Sequence, residues 1–327
     1  MTVDVLCLRP EADFLSIGVT PPGDLSIAYR GPGDADVASL IKGAKALVIP
    51  AVGPALPPEF FRGTALRLVQ VTGAGLDRLD RAVLAEEGIA LANVPGGSNA
   101  ALAEYVVANA ISLSRGFHAA GAALRAGAYA EHRKRMVGAN LRGLGGLTVG
   151  LVGLGTIGLA VAGRCRAMGA EIAFYDPAPP RDPAALSALG AQPMALDALL
   201  GASDVVTLHV PLIEATRNLI DAHRLSLMKP GAILINAARG GIVDEAALAA
   251  ALEEGRLSGA AVDVYSTEPP LPDNPLLNIS AAAASRLILT PHIAGVSLQA
   301  SQYLFAEAWK NVARVLIDGA DPLNVVP

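Results

Sequence analysis

Residues able to do chemistry fall into two groups along the chain. The first opens at Thr148-Val-Gly-Leu-Val-Gly153-Leu-Gly155-Thr-Ile-Gly158, a GxGxxG run between an apolar segment and an Ala-rich one. Gly153 permits a tight turn, Gly155 lets a pyrophosphate approach the backbone, and Gly158 lets a helix pack on a strand, while the N–H groups of that helix's N-terminus attract the anion. A GxGxxG alone is weak in a chain with 34 glycines. The next apolar run, Glu171-Ile-Ala-Phe-Tyr175, ends in Asp176, about twenty residues on, where an acceptor for a ribose 2′-hydroxyl belongs. The pair predicts a dinucleotide site, and because a carboxylate repels the 2′-phosphate of NADP, NAD is the expected cofactor. Asp176 also has an ordinary reading as a turn acid before Pro177, and Arg181 could swing toward a 2′-phosphate.

The second group answers the needs of a nicotinamide cofactor, a proton donor and acceptor and a cation for an electron-rich substrate. His292 stands in Leu289-Thr-Pro-His292-Ile-Ala-Gly295, just past an apolar run, where α/β sheets place ligands. Arg239 lies in Ile235-Asn-Ala-Ala-Arg239-Gly-Gly, again beyond an apolar run, and its planar guanidinium can grip a carboxylate with two bonds. Glu268, in Val262-Asp-Val-Tyr-Ser-Thr-Glu268-Pro-Pro, follows a third. Each alone reads equally as a loop charge. Arg, Glu and His after three successive strands of one nucleotide-binding sheet are a far less ordinary coincidence. Of the other histidines, His118, His132 and His223 sit in polar contexts expected at the surface, and His209, before Val210-Pro211, could line the cofactor cleft.

Short β-rich runs alternating with Ala-rich stretches must position these groups, the βαβ rhythm of parallel sheets. Strands are expected near Val3–Leu8, Leu25–Ala28, Ala46–Ile49, Leu66–Val71 and Ile89–Leu91, with helices over Asp36–Lys42, Leu79–Glu86 and Ser98–Ser114. A second series begins at Leu147–Val152 and runs through Glu171–Tyr175, Val205–Val210, Ala232–Ile235, Gly259–Val262 and Leu287–Leu289. The closing helix, about Ser297 to Ile317, is expected to return to the first domain, and His132-Arg133-Lys134-Arg135 reads as a solvated face. Length supports two domains: the 327 residues are about twice a 150-residue norm. Hydrophobic residues make up 52% but aromatics only 4%, which suits Val/Ile strands under Ala-rich helices. A net charge of −5 argues against a nucleic-acid partner. Cys7 and Cys165 form no CxxC, so neither a disulfide framework nor a metal site is expected, and the cytoplasm is the expected compartment. The N-terminus lacks a leader pattern and apolar stretches are broken before about 18 residues, so no membrane partner is expected.

With these residues in order, the chain resembles the D-isomer-specific 2-hydroxyacid dehydrogenase family, which includes phosphoglycerate dehydrogenases and glyoxylate/hydroxypyruvate reductases. The likeness covers nearly the whole chain: Asn93-Val-Pro-Gly, Ala103-Glu104, the GLGTIG loop, Asp176, His209-Val-Pro-Leu with Thr216, Asn236-Ala-Ala-Arg239-Gly, Asp263-Val-Tyr with Glu268-Pro, and Thr290-Pro-His292-Ile-Ala-Gly295. It implies two Rossmann-like, doubly wound α/β domains, an NAD domain (98–292) inserted into a split, flavodoxin-like substrate domain (1–97 plus 293–327). It also implies that Arg239 grips the substrate, that His292 is the general acid/base and that Glu268 bonds its imidazole, an arrangement that favours the protonated ring. Backbone N–H groups of Thr72-Gly73-Ala74-Gly75 would bind the substrate carboxylate. Cofactor contacts carry over to Gly153, Gly155, Thr156, Ile157, Gly158, Asp176, His209, Pro211, Thr216, Ala237, Ala238, Asp263 and Gly295.

One departure bears on the substrate. Phosphohydroxy-acid members often place a basic residue after the strand Ala46–Ile49, but here the chain reads Pro50-Ala51-Val52-Gly53-Pro54, and no regulatory domain is expected after Pro327. A small 2-oxo acid such as glyoxylate or hydroxypyruvate is therefore expected, with D-3-phosphoglycerate as the alternative because Arg62 or a partner subunit could supply the charge. Formate enzymes of the superfamily pair the histidine with Gln, so Glu268 argues against formate. An NAD-sensing, corepressor-like binding protein is the alternative of another class. A homodimer is expected from the resemblance and from the apolar Ser98–Ser114 helix.

Overall fold

Runs of Val, Leu and Ile bounded by glycine, proline or charged turns become short strands, and every one pairs in parallel with its neighbours. The computed structural model describes residues 3–178 and 182–326, so Arg181 lies outside the described residues. The chain separates into two compact units, Met1–Ser98 with Val296–Pro327, and Asn99–Gly295.

The first unit holds β1 (Val5–Cys7), β2 (Ile27–Tyr29), β3 (Ala46–Ile49), β4 (Leu68–Val71) and β5 (Ala90–Ala92), in the order β2-β1-β3-β4-β5. The chain reverses direction across the sheet between β1 and β3, as in flavodoxin-like folds. All residues of β3 and β4 are buried, as strands covered on both faces must be. One face is covered by the closing helix, Leu298–Leu316, whose Phe305, Ala308, Trp309 and Val312 pack with Val5, Cys7, Phe14, Val48 and Leu68. Phe14 meets the Phe305 and Trp309 rings edge-on at 4.9 and 5.4 Å. Each such apolar side chain contributes roughly 1.5–3 kcal/mol by leaving water. A polar pin joins them: buried Asn311 donates to Gln70 Oε1 at 2.7 Å and accepts from the Leu323 N–H.

The second unit holds β6 (Thr148–Val152), β7 (Glu171–Tyr175), β8 (Gln192–Pro193), β9 (Val205–Leu208), β10 (Ile233–Asn236), β11 (Gly259–Val262) and β12 (Leu287–Leu289). Their order is β12-β11-β10-β9-β6-β7-β8. The first three strands are laid outward to one side of β6 and the rest to the other, so the Rossmann switch point falls between β6 and β9, where ligands bind beyond the carboxyl ends of the strands.

Three expectations change here. The Ser98–Ser114 helix, found at Asn99–Arg115, puts Ala103, Val106 and Ala110 into the unit's own core with Val161, Ala162 and Cys165 of the Thr156–Ala167 helix, so its apolar residues already have partners. Two helices not foreseen, Phe117–Arg125 and Tyr129–Gly138, follow it and expose Phe117, Leu124, Tyr129 and Val137. His132, expected at the surface, is 5% exposed: Arg133, Lys134 and Arg135 stay in solvent while the histidine points inward, its Nδ1 2.7 Å from Arg135 Nη2. Four consecutive residues run nearly the whole way round a helix and cannot all share its solvent face, and the histidine is the one turned in.

Candidate active site

The glycine loop follows β6 at the switch point. Gly153 has φ +94°, and a Cβ there would lie 2.6 Å from the His209 carbonyl oxygen, so only glycine fits between β6 and the segment after β9. A Cβ on Gly158 would collide with the Gly153 carbonyl, which sets the Thr156–Ala167 helix hard against the loop. A Cβ on Gly155 meets nothing within 4 Å. Two glycines are thus required by packing and the third faces open space at a helix N-terminus, the cradle a pyrophosphate needs. Thr156 and Ile157 form the first turn of that helix. Asp176 follows β7; its Oδ2 accepts from the Leu154 N–H at 2.7 Å and its Oδ1 from the Ala178 N–H at 2.9 Å. The carboxylate therefore braces the loop and still has lone pairs for a ribose hydroxyl. These residues fit an NAD molecule.

Because all strands run parallel, the other expected contacts gather at the same edge: His209 and Pro211 after β9, Ala237 and Ala238 after β10, Asp263 after β11, Gly295 after β12. Burial pushes the His209 imidazole down to about 4, so the ring is neutral, with Nε2 3.0 Å from Thr207 Oγ1. Thr216 turns its hydroxyl on its own loop, donating to the Pro211 carbonyl at 2.6 Å and accepting from the Ile213 N–H.

Arg239, Glu268 and His292 follow β10, β11 and β12, three neighbouring strands, and so emerge side by side. Glu268 Oε2 lies 2.8 Å from His292 Nδ1, and Glu268 Oε1 accepts from the Tyr265 N–H at 3.0 Å. With the carboxylate accepting at Nδ1, Nε2 is left as the working nitrogen. The two side chains are 26% and 30% exposed, which keeps them within reach of a small molecule. Arg239 is half-buried; its Nη1 donates to the Ala238 carbonyl at 2.7 Å, and the Asn236 amide holds the Arg239 carbonyl at 3.1 Å. A Cβ on Gly240 would overlap the Tyr265 carbonyl, so the Arg239 loop and the Glu268 loop touch through that glycine.

A layer of side chains, of which the sequence singled out Asp263 only as a cofactor contact, holds the histidine loop. Asp263, 1% exposed, accepts from Thr290 Oγ1 at 2.6 Å and from the Ile293 and Ala294 N–H groups at 2.8 Å each, while the His292 N–H bonds its carbonyl. Thr290 gives its only proton to Asp263, so the Tyr105 hydroxyl, 2.7 Å away, must donate to Thr290. Desolvation pushes both Tyr105 and Tyr265 up to about 12 and keeps them as proton donors. His292 itself sits at φ +55°, uncommon for a side chain larger than glycine and maintained by this collar of bonds. Thr290 precedes the histidine within a quoted motif, but Tyr105 is 185 residues from its partner and no spacing rule connects them.

On the first unit, the Gly73–Gly75 loop follows β4. The Gly73 and Ala74 carbonyls are taken by the Val94 N–H and the Asn93 amide, whereas the N–H groups of residues 73–75 have no acceptor among the described residues.

Residues 107–294 match the family model described as D-isomer specific 2-hydroxyacid dehydrogenase, NAD binding domain. The chain is 38% identical over 254 residues to D-3-phosphoglycerate dehydrogenase of Archaeoglobus fulgidus, covering 77% of this chain and 46% of that protein. It thus spans about half the length of such curated relatives. It is 40% identical over 251 residues to (S)-sulfolactate dehydrogenase of Chromohalobacter salexigens, 77% of this chain and 78% of that one. Among solved structures, a glyoxylate reductase from Paecilomyes thermophila superposes with a TM-score of 0.80 at 26% identity, covering 99% of this chain and 98% of that one. With its sheet order, glycine loop and strand-end residues matched in this way, the chain belongs to the D-isomer specific 2-hydroxyacid dehydrogenase family and carries its NAD-binding domain.

Proposed function

We propose that this chain reduces a short 2-oxo acid, of glyoxylate or hydroxypyruvate size, to the D-2-hydroxy acid, and catalyses the reverse oxidation. Bound at the Gly153–Gly158 loop, NADH supplies the hydride from its nicotinamide ring to C2 of the substrate. His292 donates the Nε2 proton to the oxygen that becomes the hydroxyl, and Glu268 fixes the ring through Nδ1 and offsets the charge it carries. Arg239 binds the substrate carboxylate and polarises the carbonyl. Asp176 directs the site to NAD rather than NADP.

The observation that carries this reading is the His292–Glu268 pair at 2.8 Å, set beside the Arg239 strand end on a nucleotide-binding sheet. NADH oxidation with a panel of 2-oxo acids tests it: turnover of glyoxylate or hydroxypyruvate is expected, and none across the panel, with NADH shown to bind, refutes it. A binding protein of the corepressor kind would give that second result. We also infer a homodimer working in the cytoplasm. Phe117, Leu124, Tyr129 and Val137, exposed on consecutive helices, supply apolar side chains for a second copy, and the two thiols are buried and unpaired. Light scattering at the 33.3 kDa of one chain would refute the dimer.

A further inference from the structure

Glu268 stands on a surface loop with few bonds of its own. Pro269, Pro270 and Pro272 have no N–H to give. Among the described residues, the Ser266 N–H is the only main-chain donor of residues 266–273 that finds an acceptor. That acceptor is the side chain of Glu245, which opens the helix Glu245–Glu253. Its Oε1 accepts from the Ser266 N–H at 2.6 Å and from Ser266 Oγ at 2.7 Å, and its Oε2 accepts from the Asn274 amide at 2.6 Å. Ser266 and Asn274 are the two ends of the loop that carries Glu268, so one carboxylate closes it. Bonds to an ionised acceptor are the strong kind, and holding both ends removes freedom that the loop would otherwise keep.

Both sides of this clamp are firm. Asn274 is 8% exposed, and its Oδ1 accepts from the Leu276 N–H at 2.9 Å, which leaves its NH2 group turned to Glu245. On the other side Asp244 caps the helix through the Ala246 and Ala247 N–H groups. The segment before it is bonded to Ile220 in both directions: the Ile220 N–H donates to the Ile242 carbonyl and the Asp244 N–H to the Ile220 carbonyl. Glu245 therefore carries the position of the segment after Arg239 across to the Glu268 loop. Next to Ser266, the Tyr265 N–H holds Glu268 Oε1 at 3.0 Å, and Glu268 Oε2 meets His292 Nδ1 at 2.8 Å. All of these residues lie in the second unit.

We propose that Glu245 is a positioning residue for proton transfer: by clamping both ends of the Glu268 loop it sets where the Glu268 carboxylate meets His292. This rests on the dehydrogenase reading above and adds a residue to the same site. Glu245→Gln keeps the shape but has one acceptor oxygen where the carboxylate has two. Ser266 brings two donors and Asn274 one, so that oxygen serves Ser266 and the new NH2 group faces the NH2 group of Asn274. The loop then opens at Asn274. Adding Asn274→Asp turns the bond round, the new amide donating to the new carboxylate, whereas Asn274→Asp alone sets two carboxylates face to face.

Single-turnover oxidation of NADH by the full chain, with the 2-oxo acid it reduces fastest, tests this by stopped flow. Glu245→Gln should slow the step about tenfold, as a small misplacement of a reacting group does, with NADH affinity by fluorescence titration unchanged. The double variant Glu245→Gln/Asn274→Asp should recover most of the rate, and Asn274→Asp alone should be slow. In a Glu268→Ala background the group being positioned is gone, so Glu245→Gln should there cost about twofold or less. Nitrogen-15 spectra of histidine-labelled protein give a readout free of turnover. The His292 Nδ1 line, identified by its loss in His292→Gln, should shift or broaden in Glu245→Gln and return in the double variant. A wild-type rate in Glu245→Gln, an equal cost with and without Glu268, or a double variant as slow as the single would each overturn the proposal. If the wild type oxidises NADH with no 2-oxo acid, the dehydrogenase reading falls, and the His292 line alone decides the clamp: a line unchanged in Glu245→Gln overturns it. Should Glu245→Gln fail to fold, Glu245→Asp, which keeps the charge but is one methylene too short to reach both ends, decides by the same comparison in Glu268→Ala.

Discussion

Two glycines of one loop, two residues apart, should respond to alanine in opposite ways. At Gly153 the added methyl would stand 2.6 Å from the His209 carbonyl oxygen at φ +94°. The backbone conformation costs an L residue roughly 1–2 kcal/mol, and the overlap adds roughly 1–3 kcal/mol, as overpacking does. The total of about 2–5 kcal/mol is a large share of the ~5–15 kcal/mol that holds a folded chain together. Gly155 differs: its φ is −72°, it caps a helix, and a Cβ meets nothing within 4 Å. Alanine there forfeits about 1 kcal/mol of capping, a fall in melting temperature of about 2–4 °C. Its methyl does occupy the open space through which a pyrophosphate reaches the helix N-terminus, and forcing a ligand off its contacts by about 1.4 kcal/mol weakens binding tenfold. Thermal melts and fluorescence titration with NADH separate the two: Gly153→Ala should melt far below wild type, whereas Gly155→Ala should melt within a few degrees of it and bind NADH about tenfold more weakly or worse. Unchanged NADH affinity in Gly155→Ala would refute the cradle, and an unchanged melt in Gly153→Ala would refute the close approach.

Glu268→Gln, which keeps the shape but removes the charge facing Nδ1, should lower kcat for 2-oxo acid reduction about ten- to a hundredfold with NADH affinity unchanged; His292→Gln should cost about 10²–10⁴, and stopped-flow traces showing wild-type rates for either would contradict the assigned roles. His209 is held neutral, at about 4 against an ordinary 6.5. The unfolded chain therefore takes up the proton first, so its contribution is fully present above about pH 6.5 and is lost as pH falls toward 4. The ceiling is about 3 kcal/mol, reduced because the ring is only half-buried. Urea melts at pH 7 and pH 5 should show a drop that His209→Gln makes smaller; an identical drop in the variant would exclude His209 as its source. Asp176→Asn should raise kcat/KM for NADPH about tenfold by removing the repulsion of the 2′-phosphate, and no gain in the NADPH assay would count against Asp176 as the selector.

Much of the architecture can be read along the chain because parallel sheets write themselves locally. A strand buried on both faces must be a continuous apolar run, so Ala46–Ile49 and Gly259–Val262 stand at the expected positions. The rise of β6, the glycine turn and the helix behind it are consecutive in sequence, and their steric needs are met within a few residues. What failed was non-local. Nothing in Asn99–Arg115 says that its apolar face has a partner in its own unit, and His132 turns inward because of what packs around it, not because of its neighbours in sequence.

The sequence by itself determined which chemical groups stand at strand ends: the glycine loop, Asp176, Arg239, Glu268 and His292, each announced by the apolar run before it. Only the tertiary structure decided what each group faces. Strand order made β10, β11 and β12 neighbours and brought Glu268 to 2.8 Å from His292; the Asp263–Thr290–Tyr105 chain fixed the histidine loop; and Glu245 came to hold both ends of the Glu268 loop. The physical reason is the range of the forces. Apolar periodicity and turn geometry act over a few residues, whereas the pairing of a proton donor with its acceptor, or of a carboxylate with the loop ends it holds, depends on distances that only the folded chain defines.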